Sequence, residues 1–338
     1  MIVSKSAIHS AIAWNSCSDT EKRMPQKINS STITSRFPRI CIVGVGLLGG
    51  SFAAALRARG YRGQLSGYDV RPLEPLISRG LIDNEEQSFD RNETCNADLI
   101  YLAAPINKII EFLKTKGHLF KPGAIVTDTG STKRAIVSAA EHVIKNATFV
   151  GGHPMAGSEH TGADYADAQL FSGATYILTP SATEQLSDLE TLSRFLDAHP
   201  VILSPEDHDR MVALISQVPQ LLSTALAANV GSESDHQILF NLAGNGYRDM
   251  TRLAASQWSV WGDICETNAD NIAAGLEKLI ASLTHLRTAL SSGDGKTVSE
   301  CFQQANESAT LFRQTKIKPF SKQANFTTEN TESTEHGN

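Results

Sequence analysis

Two short segments of this chain carry residue types that can do chemistry together. Val150 to Gly162 reads VGGHPMAGSEHTG and holds His153, Ser158, Glu159 and His160. A neutral imidazole is well matched to taking a hydroxyl proton, because its ordinary pKa lies close to working pH. Arg39 to Val43 is a short apolar run followed by Gly44-Val45-Gly46-Leu47-Leu48-Gly49, a GxGxxG, and then by small and apolar residues. Glycines at that spacing, between a strand and a helix, bring backbone close to a diphosphate. The helix N-terminus then offers it unpaired N–H groups and a partial positive charge. A proton acceptor and a dinucleotide cradle in one chain point to alcohol oxidation, with hydride passing to a nicotinamide as the base takes the hydroxyl proton.

The elements that must position these groups follow from the pattern around them. Gln64 to Val70 reads as a second strand, and Asp69 lies 20 residues beyond Gly49. A carboxylate there accepts hydrogen bonds from ribose hydroxyls and repels a 2′-phosphate, which favours NAD; Arg71 beside it leaves NADP open. Strands at Asp98 to Ala103 and Ala124 to Asp128 alternate with helices at Ser51 to Arg59, Asn107 to Leu119 and Thr132 to Ile144. That alternation predicts an α/β fold, a Rossmann-type doubly wound parallel sheet covered on both faces. Ligands in such sheets lie at the carboxyl ends of the strands, so Ala104, Pro105 and Ser131 are expected to line the crevice. Ser131 is also placed to cap the helix that follows, with Lys133 and Arg134 as solvated neighbours. The density of glycine and proline in Val150 to Gly162 reads as a loop after a short strand at Thr148 to Val150.

Past a strand at Tyr176 to Thr179 and a helix at Glu184 to Ala198, the pattern turns helical. Ser204-Pro205-Glu206-Asp207 is a helix start, with Ser as N-cap and Pro in the first turn. Pro219 lies inside that helix and predicts a kink. Two amphipathic helices follow, at Asn268 to Ser291 and Lys296 to Phe312. The domain reading is therefore a polar, disordered extension at 1–37 (with Met24 as a possible start), a dinucleotide domain at 38–203, a helical domain at 204–317 and a polar tail at 318–338.

Composition narrows the classes. The 338 residues are 41% hydrophobic and 20% charged with a net charge of -6, which excludes wholesale disorder and disfavours nucleic acid or an anionic membrane as partner. The run Ile40 to Leu56 approaches a membrane span in length, but its glycines read better as a buried strand, turn and helix. Five cysteines without CxxC spacing give no structural zinc site or disulfide framework, no metal is signalled, and a reducing cytoplasm fits.

Several ordered motifs together resemble the prephenate/arogenate dehydrogenase family of tyrosine biosynthesis: the glycine turn, Asp128-Thr-Gly-Ser-Thr-Lys133, GGHPMAGSE, Glu206-Asp-His-Asp209, Gly246-Tyr-Arg-Asp-Met-Thr-Arg252-Leu-Ala254, and Trp261-Gly-Asp-Ile264 with Asn268. The likeness spans about residues 38 to 315. It implies NAD-dependent oxidative decarboxylation of prephenate, or of arogenate, with His153 as base and Ser131 beside it. It implies Arg252 as the carboxylate binder, a gating role for Asp249 and Glu159, and a homodimer through the helical domain. The family's S-H-x-P-(H/Q) reads Ser216-Gln217-Val218-Pro219-Gln220 here. Gln217 and Gln220 can hydrogen-bond substrate but carry no charge, which leaves prephenate against arogenate open. A hydroxyacid-type dehydrogenase or a non-catalytic cofactor binder are the rival readings, and no appended regulatory domain is expected from the polar residues after the last helix.

Overall fold

A computed structural model describes residues 28–86, 89, 96–157, 160, 162–180 and 185–314 of the chain. Helix α1 (Ser30–Arg36) leads into β1 (Arg39–Val43), α2 (Leu47–Ala58), β2 (Gln64–Tyr68), α3 (Glu74–Ser78) and β3 (Asn84–Glu85). Next come β4 (Leu99–Leu102), α4 (Ile106–Lys116), β5 (Ile125–Asp128), α5 (Arg134–Val143) and β6 (Thr148–Pro154). The same sheet is extended by β7 (Thr175–Pro180), α6 (Leu186–Phe195) and β8 (His199–Ile202). The strand order is β3-β2-β1-β4-β5-β6-β7-β8, and every neighbouring pair is parallel except β6 with β7. Because the chain turns back between β1 and β4, a crevice opens beyond their carboxyl ends.

Alternation along the strands divides the apolar side chains between two faces. Leu99 and Tyr101 of β4 pack on one side with Phe52, Leu56 and Phe171, while Ile100 and Leu102 pack on the other with Ile109, Leu113 and Ile136. Tyr101 stacks on Phe52 with ring centroids 3.8 Å apart. The Ile40 to Leu56 run is accordingly strand, turn and helix.

Three sequence expectations are corrected. Residues 30–36, inside the stretch read as a disordered extension, form α1, whose Ile33 joins the core at 1% exposure and whose Arg36 pairs with Asp188 at 2.8 Å. A seven-residue helix with a single buried apolar side chain shows no readable period. The second correction is β6, which runs through Gly151, Gly152 and His153 to Pro154, so the GGHP segment is strand and not loop. A Cβ on Gly152 would stand 2.5 Å from the Asp128 carbonyl oxygen, and glycine in a strand marks such a close approach. Third, β8 was not foreseen, because Pro200 demotes a strand in sequence; it is the edge strand, where proline is tolerated. The remaining parts of the segments at 1–37 and 318–338, including Met24, lie outside the described residues.

The helical half begins with α7 (Pro205–Val212), capped by Ser204, whose hydroxyl accepts from Asp207 N–H. It passes without a break through a wide π turn at Ala213–Gln217 into α8 (Val218–Gly231). The amide of Val218 bonds to Ala213 O, five residues back. Pro219 has no N–H for the ordinary ladder, and the bulge is how the helix absorbs it. Then come α9 (His236–Leu242), α10 (Asn245–Thr251), a short turn at Arg252–Ala255, α11 (Trp258–Thr267), α12 (Ala269–Ser292) and α13 (Gly295–Gln314).

If α1 belongs to the core, Ile33→Ala lowers unfolding stability by about 2–4 kcal/mol in a urea titration. A change under about 0.5 kcal/mol, the size typical of surface sites, would return this segment to the extension.

Candidate active site

The dinucleotide crevice is built by the β1–α2 turn. Gly44 has φ +87°, and a Cβ there would lie 2.6 Å from Ala103 O, so only glycine fits. Leu47 and Leu48 open α2, four residues earlier than the sequence suggests, and the cap residue Gly46 brings no side chain to the helix N-terminus. Asp69 does not cap α3, whose N-cap is Leu73. Its carboxylate accepts from Val45 N–H at 2.8 Å and from Arg71 N–H and Nε–H at 3.0 and 3.3 Å. Burial pushes this carboxyl up, but the bonds from Arg71 and Val45 prevail and hold it below its ordinary value. A cleft of about 670 Å³ opens here, lined among others by Gly44, Gly46, Asp69, Arg71, Ala104 and Pro105. Backbone that tolerates no Cβ, an uncapped helix start and an ionised acid at the end of β2 fit the diphosphate and ribose of a dinucleotide.

His153 lies on β6, 9% exposed, and its partners come from the other domain. Its Nδ1 is 2.8 Å from His208 Nε2, and His208 Nδ1 is 2.7 Å from Asp209 Oδ1. Asp209 also accepts from Lys133 N–H at 2.7 Å and Arg134 N–H at 3.0 Å. Burial pushes its carboxyl up, but these bonds outweigh that and leave it below the ordinary range, as an anion. An anionic carboxylate only accepts, so His208 carries its proton on Nδ1. His208 Nε2 must then accept from His153 Nδ1–H, which leaves the lone pair of His153 on Nε2. Burial, reinforced by His208 and Lys133, holds the His153 conjugate acid well below its ordinary value of 6.5. Burial likewise lowers His208, against the opposing pull of Asp209. The result is a neutral base of fixed tautomer backed by a second imidazole and a carboxylate.

Asp209 also supplies the cap foreseen for Ser131. Helix α5 begins at Arg134 and its first N–H groups go to Asp209, while Ser131 stands half-buried in the β5–α5 turn. Lys133 and Arg134 are not solvated neighbours: Lys133 is wholly buried, and Arg134 bonds Asp209, Asp270 and Asn268. Its guanidinium takes the Asp270 carboxyl down to about 2. The W-x-D-I…N motif belongs to the same joint. Asp263 accepts from Asn107 N–H at 3.0 Å at the start of α4, Thr267 meets Thr132 at 2.7 Å, and Asn268 donates to Gln217 Oε1 at 2.7 Å and to Asp209 O at 2.8 Å.

The remaining residues singled out in sequence are placed unevenly. Gln217 and Gln220 are both buried on the kinked helix. Gln217 is held by Asn268, while Gln220 Nε2 donates to Leu253 O at 2.7 Å and its Oε1 accepts from Ser256 at 3.2 Å. Their amides thus brace the helix and the turn that begins with Arg252. Arg252 is exposed at the start of that turn, Asp249 is exposed on α10, and Glu159 and Ser158 lie outside the described residues. Sequence reading missed His208, Asp209 and Lys133 as site residues. The first two sit one turn before the buried Val212, and that helical period was the available signal.

A two-domain architecture that joins a dinucleotide crevice to a neutral histidine at the carboxyl ends of the strands defines a nicotinamide-dependent dehydrogenase. Family models described as prephenate dehydrogenase nucleotide-binding and dimerization domains match residues 52–204 and 204–304. Prephenate dehydrogenase of Bacillus subtilis is 32% identical over 79% of this chain and 74% of its own length. The Aquifex aeolicus prephenate dehydrogenase structure, in complex with hydroxyphenyl propionate and NAD+, superposes with a TM-score of 0.74 at 30% identity, over 81% of this chain and 98% of that one. A Synechocystis arogenate dehydrogenase structure gives 0.72 at 32%, over 81% and 99%. The chain belongs to the prephenate dehydrogenase family.

With the His153 conjugate acid depressed, the base form persists above its pKa, and kcat/KM is lost only as pH falls through a value below about 6.5. A pH–rate profile that reaches its plateau only above pH about 7.5 would contradict this assignment. Asp209→Asn, which disturbs the tautomer, lowers kcat by about 10²-fold while dinucleotide affinity is retained.

Proposed function

We propose that this protein catalyses the NAD-dependent oxidative decarboxylation of prephenate to 4-hydroxyphenylpyruvate. The observation that carries the reading is the His153–His208–Asp209 relay, which fixes a proton-accepting nitrogen on β6 of the sheet whose β1 and β4 ends form the dinucleotide crevice. Bound NAD supplies the hydride acceptor for C4 of the cyclohexadienol. The chain's own residues handle the proton and the geometry. His153 Nε2 takes the C4 hydroxyl proton, and its Nδ1–H faces His208, whose own Nδ1–H is held by the Asp209 anion; the relay therefore keeps the ring's tautomer and orientation fixed as the proton arrives. Ser131 orients the hydroxyl, and Arg252 holds a substrate carboxylate by its planar fork. Departure of the ring carboxylate as carbon dioxide, with aromatisation, makes the reaction effectively irreversible. Asp69 supports NAD over NADP.

Arogenate is the second reading, and a specific observation favours keeping it. The amides of Gln217 and Gln220 are neutral and already bonded to protein groups, so neither supplies a charge that would select a pyruvyl over an alanyl side chain. A homodimer through the helical domain is supported by the dimerization-domain match and by exposed apolar side chains there, including Ile215, Leu242, Trp258, Phe302 and Leu311. The continuous helix Pro205–Gly231 is long and apolar enough to cross a bilayer by length and composition. Its buried polar contacts through His208, Asp209 and Gln220 favour packing against protein.

Absorbance of the reduced cofactor tests the proposal, with prephenate or arogenate each paired with NAD or NADP. Prephenate with NAD is expected to turn over, and His153→Asn to lower kcat by about 10²–10⁴-fold. No turnover in any combination, from folded protein that binds NAD, would overturn it.

A further inference from the structure

We infer that Lys133, acting with Asp128, is a positioning residue for His153: the buried pair holds the β6 backbone at the residue before the base and so aims the imidazole. This inference rests on His153 being the base. Strands β5 and β6 pair only at Ile125 with Thr148 and Val126 with Phe149, whereas β6 runs on to Pro154 with β7 alone as its partner. On the side facing β5, Gly152 would be left with an unanswered N–H and C=O. The Asp128 carboxylate accepts that N–H at 3.0 Å, and Lys133 Nζ donates to that carbonyl at 2.7 Å. Asp128 also accepts from Gly130 N–H at 2.8 Å and pairs with the ammonium of Lys133. Both side chains are wholly buried. The carboxylate thus stands in for a strand carbonyl and the ammonium for a strand amide, just beyond the last paired residues of β5 and β6.

A buried ion pair contributes little net stability compared with apolar side chains of the same volume. Apolar side chains could fill this space, but they could not satisfy Gly152 from both sides. The pair has an electrostatic consequence as well. Among the described residues, the charged and titratable groups around His153 are Asp128 from β5, Lys133 from the turn before α5, His208 and Asp209 from α7, and Tyr176 from β7. Burial keeps the Tyr176 hydroxyl protonated. Burial first, then His208 and the Lys133 ammonium, oppose protonation of His153.

Two variants of the full-length protein test this. Lys133→Met leaves the Gly152 carbonyl unanswered and is expected to lower kcat by about 10²-fold, the scale of a misaimed catalytic group. KM and the NAD dissociation constant should stay within about threefold, because ground-state binding is untouched. Lys133→Gln keeps an N–H donor without the charge; it should recover most of kcat, while the His153 titration midpoint rises. That midpoint is read from the imidazole C2–H resonance by NMR, assigned by its absence in His153→Asn. The titration needs no turnover, so an inert wild-type enzyme would remove the proposed function and still leave the Lys133 inference to be judged. Wild-type kcat in Lys133→Met with an unmoved His153 midpoint would overturn it. Failure of both variants to fold and bind NAD would overturn it too, by assigning Lys133 to stability alone.

Discussion

The site depends on one carboxylate buried between two domains. Asp209 is placed on α7, yet it closes the N-terminus of α5 in the other domain and fixes the protonated nitrogen of His208. Removing it would cost the helix its cap, the joint a charged anchor and the base its tautomer. These are local roles of about a kilocalorie or two each, but they meet in one group and are not separable. The orientation of the helical domain and the readiness of His153 are thus set by the same hydrogen bonds.

The rest of the joint is built the same way. Asp263 does for α4 what Asp209 does for α5, and Asn268, wholly buried, ties α7, the π turn and Arg134 together. Apolar packing is mostly kept within the sheet domain, with Ile264 as a helical-domain residue that reaches its core. Apolar contact tolerates sliding, whereas hydrogen bonds to helix ends are directional. A polar joint therefore defines where one domain sits on the other better than an oily one of equal area.

Much of this was legible in sequence, and the remainder was hidden for physical reasons. The glycine turn, Asp69, the alternation of strands and helices, and the capped start at Ser204 are local signals, and the structure holds each of them. His153 is singled out by its motif, although its segment reads as a loop in sequence because Gly151 and Gly152 look like turn residues until Thr179 is seen against the first and Asp128 against the second. His208, Asp209 and Lys133 were obscure because their meaning is non-local. An acid near the start of a helix normally answers that helix's own dipole, as Asp207 does in the first turn of α7, and nothing in the sequence says that Asp209, a turn further on, answers another's. Lysine beside a helix start reads as solvated unless the partner strand is in view. The change at Pro219 was foreseen as a kink, but only the structure shows it as a widened turn that sets the placement of Gln217 and Gln220.

The two caps from the helical domain also sort ligands by where charge is welcome. The starts of α2, α4 and α5 all lie at the carboxyl ends of parallel strands, and each is a place where an anion could settle. Carboxylates of the protein already occupy two of them. Only α2, whose cap residue is Gly46, keeps its N–H groups for a visitor. Of these three helix starts, the docked second domain thereby leaves one to a diphosphate.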